Sequence, residues 1–80
     1  MIFIAHDIFK GSEFLKVNLL VRQVREERKM SLNKLSLLSG VSIAHLSDIE
    51  RNNKIPSLLI MVRLSLALKV SITDLFEVKL

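Results

Sequence analysis

Ser31-Leu32-Asn33-Lys34-Leu35-Ser36-Leu37-Leu38-Ser39-Gly40-Val41-Ser42-Ile43-Ala44-His45-Leu46-Ser47-Asp48-Ile49-Glu50-Arg51 reads as two short helices joined by a glycine turn. Ser31 and Ser42 each stand just before a stretch of helical apolar spacing, where a hydroxyl accepts from a free backbone amide and starts a helix. The pattern predicts helices over 32–39 and 43–51. Gly40 between them is free to take the positive φ that stops a helix tightly. Two helices joined so closely must cross steeply, which calls for a small residue at the crossing (Ser36) and an apolar wedge (Val41, Leu46, Ile49). The second helix then projects its N-terminal residues outward.

The same punctuation continues on both sides. A preceding helix is predicted over Val17–Lys29, with Leu20, Val21 and Val24 inward and Arg22, Arg25, Arg28 and Lys29 crowding its later turns, where cations complement the helix dipole. After the polar, basic loop Arg51-Asn52-Asn53-Lys54, Pro56-Ser57 launches a fourth helix over Leu58–Lys69. Ser71-Ile72-Thr73-Asp74 is a capping-box-like start for a short fifth helix through Phe76. The expected fold class is therefore all-α, a five-helix domain over 17–80 that includes a helix-turn-helix. Residues 1–16 form an N-terminal arm to which the pattern assigns a strand, a packed arm or no order, through Ile2, Phe3, Ile4, Ile8 and Phe9.

Bulk composition narrows the function classes. Eighty residues support one domain, and half of them are hydrophobic. With no cysteine there are no disulfides, thiolate metal sites or cysteine chemistry, in keeping with a reducing, cytoplasmic setting. Lys10 and Lys16 balance Asp7 and Glu13, so the whole net charge of +4 falls in residues 17–80 and suggests a polyanionic partner. Met1–Phe9 is apolar but holds Asp7 and has no basic leader, and the uncharged run Ile55–Val62 stops at Arg63, well short of the ~20 residues a membrane helix needs. A soluble protein without membrane contact is expected.

No catalytic constellation emerges. His6 and His45 are far apart in sequence with no cysteine to join them, so no metal site is expected. Glu26 and Glu27 are helix neighbours that point apart, and Glu50 has no acidic companion for acid–base work. The serines are accounted for by capping and close packing. Two glycines make no phosphate-cradling loop. Neither an enzyme nor a cofactor is expected.

Several short elements together resemble the Cro/repressor (Xre) helix-turn-helix family. They are Val21-Arg22-x-x-Arg25, the run from Ser31 through Leu35-Ser36, Ser39-Gly40-Val41-Ser42, Leu46-Ser47 and Ile49-Glu50-Arg51-Asn52, then Ile55-Pro56-Ser57-Leu58, and finally Ala67-Leu68-x-Val70-Ser71-Ile72-x-x-Leu75-Phe76. The resemblance implies a dimeric regulator that sets a recognition helix in the major groove of duplex DNA, which is about 12 Å wide. By position, it implies that Ile43, Ala44, His45, Ser47 and Asp48 face base edges. Ser31, Leu32, Lys34, Ser42, Arg51, Asn52 and Lys54 then fall where such proteins hold the sugar–phosphate backbone. Leu32 takes a position usually held by Gln. Arg25 and Glu50 fall on a buried ion pair between the first and third helices.

Three departures qualify that expectation. The recognition helix has no Arg, Lys, Gln or Asn for bidentate base contacts, leaving Ile43 and Ala44 for thymine methyls and His45 for one hydrogen bond. Asp48 would repel phosphate unless it accepts from a cytosine amine, and Lys69 stands where the family usually has Gly. Leu37, Leu38, Leu59, Ile60 and Leu66 are apolar where polar residues are common. They suggest either a larger core covered by the arm or a surface for a homodimer or protein partner, with Leu59, Ile60 and Leu66 as its centre. The competing expectation is an antitoxin-like or anti-repressor-like interaction module on the same scaffold.

Overall fold

The computed structural model describes residues 16–79, which form a mostly helical fold closed by a small antiparallel ribbon. In chain order the elements are β1 (Lys16–Leu19), α1 (Val21–Glu27), α2 (Leu32–Ser39), α3 (Ile43–Glu50), α4 (Leu58–Leu68), a single 3-10 turn (Ile72–Leu75) and β2 (Phe76–Lys79). The arm expected over 1–16 lies outside the described residues except for Lys16.

Serine capping organises the helices. The hydroxyls of Ser31, Ser42 and Ser57 accept from the amides of Lys34, His45 and Ile60 at 3.0, 3.1 and 3.2 Å. In each case an otherwise unpaired first-turn donor is satisfied. At the 3-10 turn the reciprocal half of a capping box forms, with the Asp74 carboxylate accepting from the Ser71 amide at 3.0 Å. Apolar residues at helical spacing then meet at one centre: Leu35 from α2, Leu46 and Ile49 from α3, Leu64 and Leu68 from α4, and Leu75 after it, all essentially solvent-free.

Several predicted boundaries are corrected; the helices expected to end at Arg51 and Lys69 stop one residue earlier, at Glu50 and Leu68. The helix expected from Val17 begins at Val21, and the four residues before Leu20 pair as a strand with the C-terminal one, in the register Lys16↔Lys79, Val17↔Val78, Asn18↔Glu77 and Leu19↔Phe76. Both tetrapeptides, KVNL and FEVK, alternate apolar and polar residues with a period of two, and each gains the partner it needs only through the other. Leu20 closes the helix side by donating to the Leu75 carbonyl at 2.7 Å. The same helix ends at Glu27, because Lys29 takes φ 54° and turns the chain toward Ser31. The fifth helix shrinks to one 3-10 turn, and Phe76 belongs to β2. Among the described residues, no helix is long and apolar enough to cross a membrane.

Candidate nucleic-acid interface

The turn between α2 and α3 is locked by its own short side chains. Gly40 has φ 72° and ψ 15°, and its amide donates to the Ser36 carbonyl at 2.9 Å. The Ser36 hydroxyl donates to the Val41 carbonyl at 2.7 Å, while the Val41 amide donates to the Ser39 hydroxyl at 3.2 Å. Three polar groups of the bend, the Gly40 and Val41 amides and the Val41 carbonyl, thereby find partners within it. Val41 is buried beneath the bend, so the angle between the helices rests on packing as well as hydrogen bonds.

Beyond the bend, the first turn of α3 faces outward. Ser42, Ile43 and Ala44 are exposed, with Ile43 at 44% of its free surface, while His45, Ser47 and Asp48 are half-buried. Leu46 and Ile49 on the opposite side are fully buried, which fixes the rotation of the helix.

The base of α3 is anchored by charge. The Glu50 carboxylate accepts from Arg25 Nε at 2.7 Å and from Arg25 Nη2 at 3.1 Å, and both side chains are largely buried. Arg25 Nη1 donates to the Met30 carbonyl at 2.8 Å, so one guanidinium ties together α1, the α1–α2 linker and α3. The hydrogen bond to Glu50 raises the pKa of Arg25 above its ordinary value, outweighing the opposing effect of burial, with the charges of Glu50 and Glu26 adding to it.

The remaining residues singled out by sequence gather around these helices. Ser31 and Lys34 are exposed and Leu32 is half-buried against the core. Arg51, Asn52 and Lys54 are exposed in the loop after α3. Asn52 has a structural duty as well: at φ 58°, it accepts from the Leu19 amide through Oδ1 at 2.8 Å. Asp48 does not stand as a bare negative charge, since Arg51 Nη2 lies 2.9 Å from its Oδ1.

Two further basic residues were assigned by the sequence only to the dipole of the first helix. Arg28 and Lys29 line an open depression with Met30, Ser31 and Lys34, beside the N-terminus of α2. The available signal was their position at the end of α1, where cations are equally explained by the helix dipole. Leu59 and Leu66 are exposed on α4, at 61% and 74%, with Val62 between them; Ile60 is half-buried against the core and lies off this stripe. Leu37 and Leu38 are exposed on α2. Among the described residues, no cluster of His, Asp or Glu is placed to hold a metal ion.

Comparison with known proteins agrees with this geometry. Residues 21–75 match the family described as helix-turn-helix, and the chain belongs to that family, of the Cro/repressor (Xre) type. It is 37% identical over 59 residues to the HTH-type transcriptional regulator SlrR of Bacillus subtilis (strain 168), an alignment covering 72% of this chain and 39% of SlrR. The chain thus spans well under half the length of that regulator. It is also similar in fold to the restriction-modification controller protein C.AhdI from Aeromonas hydrophila, with a TM-score of 0.65 and 26% identity over 68% of this chain and 82% of that one.

Proposed function

We propose that the chain is a transcriptional regulator that binds duplex DNA by placing the first turn of α3 in the major groove. The observation that carries this reading is the outward-facing tip Ser42–Ala44, rigidly aimed by the Gly40 bend on one side and the Arg25–Glu50 pair on the other. Ile43 and Ala44 contact thymine methyls, and His45, Ser47 and Asp48 supply the polar contacts to base edges. Ser31, Lys34, Ser42, Arg51, Asn52 and Lys54 hold the flanking phosphates, with Leu32 packing alongside. With no Arg, Lys, Gln or Asn on α3 to read bases bidentately, much of the selectivity comes from DNA shape.

The protein acts as a homodimer, pairing through the Leu59–Val62–Leu66 stripe so that two α3 tips meet successive major grooves about 34 Å apart. It works in the cytoplasm, has no catalytic activity and uses no cofactor. Binding to short fluorescent duplexes across a salt series tests the reading. Lys34, Arg51 and Lys54 together give a slope of log K against log salt of about −2.7 per chain. A flat salt response, or no binding at about 50 mM salt, removes the proposal.

A second reading is favoured by the same apolar stripe and by the lack of Arg, Lys, Gln and Asn on α3: an interaction module that docks on another protein. A Leu59→Glu/Leu66→Glu variant separates the two. Loss of self-association with DNA binding retained at high protein concentration identifies a dimer face. No change in either removes the dimer face and leaves the stripe to another protein.

A further inference from the structure

The linker between α1 and α2 gathers three cations around one open depression of about 400 Å³. Arg28, Lys29 and Lys34 line it with Met30 and Ser31, and no acidic side chain does. The two carboxylates nearest in sequence are engaged elsewhere: Glu26 pairs with Arg22 at 3.3 Å, and Glu27 accepts from Gln23 at 3.5 Å. Among the described residues, Arg22, Arg25, Arg51 and Lys79 form ion pairs, and none of these three cations does. We propose that Arg28 and Lys29, acting with Lys34, form a phosphate grip that holds the DNA backbone beside the groove α3 enters. This grip presupposes the DNA-binding reading above and adds two residues to it.

Three observations carry the assignment. The first is convergence. The Lys29 and Met30 amides donate to the Glu26 and Arg25 carbonyls at 2.9 and 3.1 Å, and Lys29 takes φ 54°. The chain thus turns so that Arg28 and Lys29 share one depression with Lys34 of the next helix. Like charges brought together without a counter-charge repel, and a polyanion turns that repulsion into attraction. The second is placement. Met30, a wall of the depression, gives its carbonyl to Arg25 Nη1 at 2.8 Å, and the same guanidinium grips Glu50 at the base of α3. The depression is therefore fixed relative to the recognition helix, as a backbone contact that sets register must be. The third is exposure. All three cations are open to water, and Arg28 reaches only the Lys69 carbonyl, at 3.5 Å. A lone phosphate ion competes poorly with water there. Duplex DNA does not, because each cation that meets its backbone releases condensed counterions.

Binding of the full chain to short duplexes across a salt series tests the proposal. With Arg28 and Lys29 engaged, the slope of log K against log salt steepens from about −2.7 to about −4.5 per chain. Arg28→Gln/Lys29→Gln returns it to about −2.7 and weakens binding to every duplex alike, since phosphate carries no sequence. Lys16→Gln/Lys79→Gln removes the same charge from the exposed ribbon and leaves the slope in place. Lys29→Gly separates binding from folding: glycine suits φ 54°, so the thermal midpoint holds or rises while affinity falls. The duplex shifts the amide resonances of residues 28–34, whereas inorganic phosphate at constant ionic strength leaves them in place. An unchanged slope in Arg28→Gln/Lys29→Gln, or an equal loss in the ribbon variant, overturns the grip and leaves the DNA-binding reading standing. Saturable shifts with inorganic phosphate alone also overturn it, assigning the depression to a free anion. Binding by the parent chain without salt dependence removes both readings together.

Discussion

The side-chain carbonyl of Asn52 takes the amide hydrogen of Leu19 from 2.8 Å away, across 33 residues of sequence. This bond fastens the loop after α3 to the strand that closes the fold, at the one residue of that loop with positive φ. A residue proposed to touch phosphate is thus also part of the scaffold.

Those two duties separate by substitution. Asn52→Ala leaves the Leu19 amide without a partner and places an L-residue in the left-handed region; a loss of about 2–3 kcal/mol is expected in urea denaturation. Asn52→Gly relieves the backbone strain and costs less, about 1–2 kcal/mol. Asn52→Asp keeps the acceptor and the fold but sets a negative charge at the proposed phosphate contact, so DNA affinity falls while the denaturation midpoint barely moves.

The Arg25–Glu50 pair is expected to be costly to break from one side. Glu50→Ala strands a buried guanidinium and lowers stability by about 3–5 kcal/mol; Arg25→Met with Glu50→Leu recovers most of that loss. Because folding raises the Arg25 pKa, its contribution is fully present below the unfolded-state value and is lost only as pH climbs through the higher folded-state value. Arg25 therefore causes no stability loss between neutral pH and about pH 11, which denaturation of the wild-type chain and the double variant across that range checks.

Left-handed residues give opposite signs at two helix ends. A Cβ at Gly40 would meet nothing closer than an ordinary van der Waals contact, Arg63 Nη1 at 3.9 Å, so Gly40→Ala suffers only conformational strain and loses about 1–2 kcal/mol. Lys69 already bears that strain at φ 58°, and Lys69→Gly raises stability by about 0.5–1 kcal/mol after the greater freedom of glycine in the unfolded chain is counted. Thermal unfolding of the two variants in one buffer reads both.

Asp48 restrains Arg51 through their 2.9 Å contact. Asp48→Asn frees the guanidinium for phosphate and removes a like charge from the interface. Tighter binding to all duplexes is expected, with less discrimination among sequences. Weaker binding to every duplex would contradict this arrangement.

The helix-turn-helix was legible because its signals are local. Ser31, Ser42 and Ser57 each sit within three residues of the amide they cap, and the hydrogen bonds of the Gly40 bend all close within six residues. The ribbon was not legible for the converse reason. Val17 and Leu19 alternate, but four residues before a helix also fit a helical start, and only Phe76–Lys79, some sixty residues on, makes them a strand. Similarly, Arg28 and Lys29 join Ser31 and Lys34 in one depression only because Lys29 turns the chain at positive φ, a conformation lysine does not advertise.

Pairing of Lys16 with Lys79 brings the two ends of the described fold to within roughly 5 Å of each other. A linker of two to five residues therefore suffices to join them, and new termini can be opened in the exposed loop at Asn53. Such a circular permutant should fold to the same arrangement with its covalent order rewritten. Anything fused to either natural end of this region leaves from a single corner of the molecule, beside its neighbour.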